Sequence, residues 1–390
     1  MQKPVVNIIT TLIFSTIFLN SLSAQSYNSI FLSDTKINPA DSNKIFFTFD
    51  NTNFIKDNEY FNKIVEGYTF IGFFTNQKIT YFPSKNIKIE GGVHLLKYSG
   101  LNKFTQIKPI FTFQYQHKDL SLLLGTIYGT LNHNLPEPVF LYENYFTDNI
   151  ENGMQVLLNK TYLKSDTWLN WEQFILPSDT IQEKLTFGSS NLFFLSDTSN
   201  NIIITIPLQL LITHRGGQST NTNSNIQTLV NSDFGFNIKY KVLSKSIKSI
   251  ELNNYFITFY NNSPIIETYF DKGTATYLQL IINTNKLIYS VGYWYAHHFI
   301  SPLGDPMFQL VSQKNILDTK PEKQLLTSKI FYHTSLYKGV EFGFRTDFFY
   351  DLRAGRFDYS VGLNVVVNQK FFLKKVNPLY SCKNEVNCMN

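Results

Sequence analysis

Val340-Glu341-Phe342-Gly343-Phe344-Arg345-Thr346-Asp347-Phe348 is the stretch on which the reading of the fold turns. Alternate side chains of a strand point to opposite faces. One face here carries Val340, Phe342, Phe344, Thr346 and Phe348; the other carries Glu341, Gly343, Arg345 and Asp347. The first suits hydrocarbon and the second suits water. The period of two continues downstream, where Phe357, Tyr359, Val361, Leu363, Val365 and Val367 oppose Asp358, Ser360, Gly362, Asn364 and Asn368. Upstream, Phe234, Phe236, Ile238 and Tyr240 oppose Asp233, Gly235, Asn237 and Lys239. A soluble sandwich also alternates, so the decision rests on the rest of the chain.

Composition weighs against water on all sides. Of 390 residues only 16% are charged, against about 25% in an ordinary soluble domain, while aromatics reach 16% with 36 Phe and 23 Tyr. The net charge of +5 is mild, and its basic residues are scattered, which excludes a nucleic-acid arm. Lys3, an apolar run from Val5 to Leu19 and Ser21-Leu22-Ser23-Ala24-Gln25 read as a signal peptide cleaved after Ala24. No later apolar run approaches the ~20 residues of a spanning helix. A closed barrel is then the way left to satisfy backbone polar groups in a membrane.

The strand signals predict an all-β, antiparallel, up-and-down transmembrane barrel of sixteen strands, with fourteen as the alternative. They run from 44–55 to 357–371, and include 120–130, 167–176 and 187–195. Connections alternate between short ones, such as 118–119, 284–286 and 337–339, and longer ones, above all 131–151 and 300–324. This is the asymmetry of tight periplasmic turns and long outer loops. The expected organisation is a signal peptide over 1–24, a periplasmic segment over 25–43, the barrel over 44–373 and a tail over 374–390. The tail holds both cysteines, Cys382 and Cys388, and an oxidising compartment permits a disulfide between them.

Several segments carry a resemblance. Glu66-Gly67-Tyr68-Thr69-Phe70-Ile71-Gly72, Gly92-Val93-His94-Leu95-Leu96-Lys97-Tyr98-Ser99-Gly100, Glu151-Asn152-Gly153-Met154-Gln155 and Asp166-Thr167-Trp168-Leu169-Asn170-Trp171-Glu172 resemble porin-like outer-membrane barrels in the style of Bacteroidota. The resemblance covers the whole mature region. It implies a protein that admits solutes or scaffolds a surface complex, and names no substrate. The chain departs from the pattern by extending past its final aromatic pair, Phe371-Phe372.

The chemistry-bearing residues fall into a few sets. Asp166, Trp168, Asn170 and Glu172 share a strand face, opposite Leu169, Trp171 and Ile175. They read either as a lumen patch with Trp168 stacking a sugar ring or as ordinary polar packing, with Trp171 in the interfacial girdle. Glu341, Arg345, Asp347, Asp351 and Arg353 read as a selectivity lining or as an internal ion-pair network. Lys88, Glu90 and His94 share a face and, with Lys239, join the lumen-lining candidates. His297 and His298, as strand neighbours, are expected on opposite faces, which argues against a metal site. No Gly-x-Ser-x-Gly, His-Glu-x-x-His or phosphate loop occurs.

The leading expectation is therefore a non-enzymatic channel for small polar solutes, embedded in outer-membrane lipid, with no cofactor, no metal and no nucleic-acid partner. Loops 131–151 and 300–324 are its natural constriction elements. A structural or surface subunit of an outer-membrane complex is the alternative, and the candidate protein partners are further copies of this chain or members of such a complex. A hydrolase at the barrel rim ranks third.

Overall fold

The computed structural model describes residues 29–217, 224–244 and 246–377. Sixteen strands close into one antiparallel barrel in which each strand pairs with its neighbours in sequence. They are β1 Lys44–Glu59, β2 Tyr68–Ser84, β3 Ile87–Tyr98, β4 Gln106–His117, β5 Leu120–Thr126, β6 Asn152–Asn159, β7 Leu163–Gln173, β8 Lys184–Phe194, β9 Ile202–Arg215, β10 Gln227–Lys241, β11 Ile247–Asn261, β12 Lys272–Thr284, β13 Leu287–His297, β14 Glu322–Tyr337, β15 Val340–Asp351 and β16 Arg356–Lys375. Closure is made by β1 against β16, from Lys44 opposite Lys375 to Glu59 opposite Tyr359. The expected fold class and strand number hold. No helix among the described residues is long and apolar enough to cross a membrane. The segment 1–24 and both cysteines lie outside the described residues.

The alternation works as the sequence implies. On β15, Gly343, Arg345, Asp347 and Phe349 are buried inside. On the lipid face, Ile107, Phe111, Leu124, Phe234 and Phe357 are each at least half exposed, which costs nothing when hydrocarbon replaces water. Both ends of the barrel chain fall on the side of the short turns, which sets that side as periplasmic.

Several strands depart from expectation: β1 runs on to Glu59 rather than 55, and β16 to Lys375 rather than 371, past the expected barrel limit at 373. β5 stops at Thr126 rather than 130. Gly125 takes a left-handed φ of 93°, and the chain then turns into the barrel. β7 runs Leu163–Gln173, so it overlaps the expected 167–176 but is shifted toward the N-terminus.

The lumen is filled by loops, not lined around water. Loop 127–151 buries Leu131, Val139, Phe140, Tyr142, Tyr145 and Phe146. Loop 298–321 buries Phe299, Met307, Phe308 and Leu310. Phe308 meets Trp294 edge-on at 5.2 Å and Tyr277 at 5.3 Å. From the periplasmic side, Phe31 enters a second aromatic cluster with Tyr142, Tyr145, Phe146 and Phe331. Aromatic packing of this kind fills these layers of the lumen among the described residues.

Candidate functional site

Loop 127–151 is held by buried charges. His133 has no exposure, and its two nitrogens reach Asp166 Oδ2 at 2.8 Å and Glu151 Oε2 at 3.0 Å. Glu151 also accepts from the backbone N–H of Thr130. The imidazole stacks on Trp168 at 3.5 Å, 7° from parallel. Gly188 lies under that indole, where a Cβ would overlap the ring. Burial by itself lowers the pKa of His133, but Glu151 and Asp166 outweigh it and raise it to about 9. Both nitrogens therefore donate, and His133 is a structural cation, neither a base nor a metal ligand.

Two further clamps join the same loop to the wall. Glu143 accepts from Lys56, from Tyr68 and, at 2.9 Å, from Asn58 Nδ2. Burial opposes its ionisation, yet the Lys56 ammonium and these donors hold its carboxyl below the usual range. Glu137 takes Lys329 and Arg345 together. Arg345 also donates to Asp347 at 2.9 Å and lies 4.0 Å over the ring of Tyr142.

The residues singled out from sequence are distributed through these contacts. Asp166 and Trp168 hold His133. With its face against an imidazole and 1% exposure, Trp168 offers no free platform to a sugar. Trp171 is 38% exposed on the outer face. Asn170 accepts from the Asn152 N–H, and Glu172 accepts from Thr186. Glu90 pairs with Lys88 at 3.3 Å, His94 with Asn76 at 2.7 Å, and Lys239 with Glu251 at 2.8 Å. Glu341 is half-buried on β15. Asp351 caps the turn by accepting from the backbone of Arg353 and Ala354, and Arg353 pairs with Glu322 at the outer rim. The expectation of opposed faces for His297 and His298 is corrected. β13 ends at His297, His298 takes a φ of 51°, and the two rings stack at 3.9 Å. Among the described residues no cluster of His, Cys, Asp and Glu is arranged to hold a metal.

The arrangement that sequence reading missed lies on the outer rim of β8, β9 and β10. Leu208, Leu210 and Ile212 alternate outward along β9, and His214 is next on that face. Across the hairpin it is directly opposite Thr228. His214 Nε2 lies 2.7 Å from the Gly216 carbonyl, which can only accept. The proton therefore sits on Nε2, a tautomer assigned from this network. Nδ1 is left as the acceptor, and the Thr228 hydroxyl donates to it at 2.9 Å. Glu183 approaches from the β8 side. A Cβ built on Gly217 would lie 3.3 Å from His214 Nε2 and 3.4 Å from Glu183 Oε1. Thr228 also receives order from its own backbone, whose N–H donates to Ser263 Oγ at 2.8 Å. A hydroxyl, an imidazole oriented to take its proton and a nearby carboxylate are the parts of nucleophilic acyl transfer. They sit where the apolar belt ends and the aqueous rim begins. Nothing local marks them in sequence, because strand register and not a short motif brings His214 to Thr228.

Barrel, apolar belt and rim together define an outer-membrane β-barrel protein. The family model described as lipid A 3'-O-deacylase-type matches residues 37–376, and the chain belongs to that family. This overturns the expectation of a non-enzyme, since the family is described by a deacylase activity. Comparison with curated proteins finds no match. Among solved structures, the chain is similar in fold to a loop-deletion mutant of OmpT, an outer membrane protein of Vibrio cholerae, at 9% identity and a TM-score of 0.49, covering 83% of this chain and 99% of that one. It is likewise similar to the outer membrane protein OprD from Pseudomonas aeruginosa, at 8% identity and a TM-score of 0.47, over 89% and 98% of the two chains.

Proposed function

We propose that this protein removes an acyl chain from a lipid A-type glycolipid by ester hydrolysis at the outer rim, with Thr228 as nucleophile and His214 as general base. The observation that carries the reading is the Thr228 hydroxyl donating to an outward-facing His214 at the edge of the lipid belt. Thr228 Oγ would attack the acyl carbonyl carbon while its proton passes to His214 Nδ1. The bond from that carbon to the sugar oxygen breaks, and the sugar oxygen takes the proton back from Nδ1. Water, deprotonated by the same nitrogen, then releases the fatty acid and restores the hydroxyl. Glu183 is a positioning residue that favours the imidazolium formed in each half. An amphiphile anchored in the outer leaflet would bring its ester to this height without leaving the membrane. The same reading has residues 1–24 removed as a signal peptide during export.

The test is mass spectrometry of lipid A from cells making the protein. The unaltered chain should release one acyl chain. Thr228→Ala and His214→Ala should each slow this by roughly 100-fold or more, with the barrel still heat-modifiable on gels. A folded Thr228→Ala that deacylates at the full rate would refute the assignment.

Passage of small polar solutes is the second reading. A cavity of about 430 Å³ beside the N-terminal segment, lined among others by Lys36, Asp50, Lys78, Lys88, Glu90 and Lys370, supports it. Against it, loops 127–151 and 298–321 would have to leave their packed positions.

A further inference from the structure

The lipid face is mostly apolar but carries outward polar side chains on several strands, among them Ser232 and Thr258, which pair at 2.7 Å, Asn254 of β11, and two islands that each span a pair of neighbouring strands. On β7 and β8 the outward Ser165, Thr167, Ser189 and Asn191 satisfy one another. Ser165 donates to Asn191 at 2.6 Å, Thr167 and Ser189 pair at 3.0 Å, and Asn191 also reaches the Leu208 carbonyl. That island is closed on itself.

The second island, on β1 and β2, is not. Asn51, Asn53, Thr75 and Gln77 share the outward face with Phe49 and Phe73. Asn53 donates to Asn51 Oδ1 at 2.6 Å, Asn51 donates to the Phe74 carbonyl at 2.9 Å, and Thr75 donates to the Asp50 carbonyl at 3.1 Å. Gln77 is exposed, and its side chain makes no hydrogen bond among the described residues. On β2 it lies between outward Ile71 near the outer rim and outward Tyr81 near the periplasmic rim. About ten residues of tilted strand cross the hydrocarbon, so Gln77 is deep among acyl chains, which neither donate nor accept. The flanks are flat: Val365 and Val367 of β16 lie beside Asn53 and Asn51, Val93 of β3 lies beside Gln77, and Gly91 presents no side chain at all, with nothing near where a Cβ would project.

We propose that this patch is the contact through which two copies of the chain pair in the outer membrane, the patch of one against the same patch of the other about a two-fold axis. An isologous interface must be self-complementary. A carboxamide is both donor and acceptor, so Asn53 and Gln77 of one copy can satisfy those of the other with no charge to neutralise. The β-branched flanks and Gly91 let the two walls approach closely, as small residues do between membrane helices. Lipid tails could cover the area but not the amides.

Sedimentation of the full-length protein in a mild detergent, across protein-to-detergent ratios, tests this. The unaltered chain should be a dimer. The double variant Asn53→Val, Gln77→Leu should weaken pairing by about tenfold or more while keeping the heat-modifiable barrel. Ser165→Ala with Thr167→Val, in the closed island, should leave the dimer intact and controls for general loss of surface polarity. A monomer at every ratio, or a dimer indifferent to Asn53 and Gln77, would overturn the proposal. So would a dimer lost only in the Ser165/Thr167 variant. Association with a different protein through the same patch counts equally against it.

Discussion

His133 shows how a buried residue acquires a role its type does not announce. Between Glu151 and Asp166 the imidazole is charged at neutral pH, and its folded pKa of about 9 lies above the unfolded value of about 6.5. Raised in the fold, it adds stability that is fully present below about pH 6.5 and is lost as pH rises through about 9. Thermal unfolding followed from pH 6 to pH 10 should therefore show a falling midpoint across that window, and the fall should vanish in His133→Ala. That variant leaves two carboxylates facing each other without a cation, and should cost about 3–5 kcal/mol at pH 6. A flat profile in the unaltered protein would remove the ion triad from the account. Asp166 and Trp168 were legible as inward residues because they alternate on β7. Their partner was not, since His133 is 33 residues from Asp166 and arrives from a loop whose path no periodicity describes.

At the scale of elements, the strands and the loops obey different physics. A strand crossing lipid must alternate over about ten residues, and this made β15, β16 and β10 readable nearly to their ends. Loop 127–151 has no such rule. Its position comes from Glu137 and Glu143 meeting Lys329, Arg345 and Lys56 on strands far away in sequence. Arg345 and Asp347 were read from sequence as either a selectivity lining or an ion-pair network. The structure places them 2.9 Å apart beneath the loop, as a network. Glu137→Gln removes the shared partner of Lys329 and Arg345, whose side chains are 3% and 4% exposed. It should cost several kcal/mol and release the loop, so that protease added outside intact cells cuts within 127–151. Resistance equal to that of the unaltered chain would show that aromatic packing alone holds the loop. The rim row of Glu183, His214 and Thr228 belongs to this scale too. Each residue ends or borders a different strand, and only the β8–β9–β10 register aligns them.

For the whole molecule, sixteen strands enclose room for an aqueous pore, and the loops decide whether the room is used. With Phe308, Trp294 and Tyr277 packed across one layer and Phe31, Tyr145 and Phe146 across another, the unaltered protein should conduct far less than an open barrel of this size. Removing residues 301–319 together with 129–149, which carry the loop side of both layers, should produce stepwise conductance in planar bilayers. Steady steps from the unaltered chain would show that the packed loops leave. With the interior filled, the proposed reaction belongs at the rim, where a substrate anchored in lipid would lie within reach of His214.

The amino-acid sequence by itself determined the barrel, its number of strands, its antiparallel order and which end carries the long loops. Each of these follows from one repeated local constraint, that successive side chains meet hydrocarbon and water in turn while the backbone pairs with its nearest neighbour. The tertiary structure alone decided that the lumen is filled, that His133 is a cation and that Thr228 donates to His214. Those facts depend on where distant segments meet, and long-range register and loop packing leave no period in the chain from which to read them.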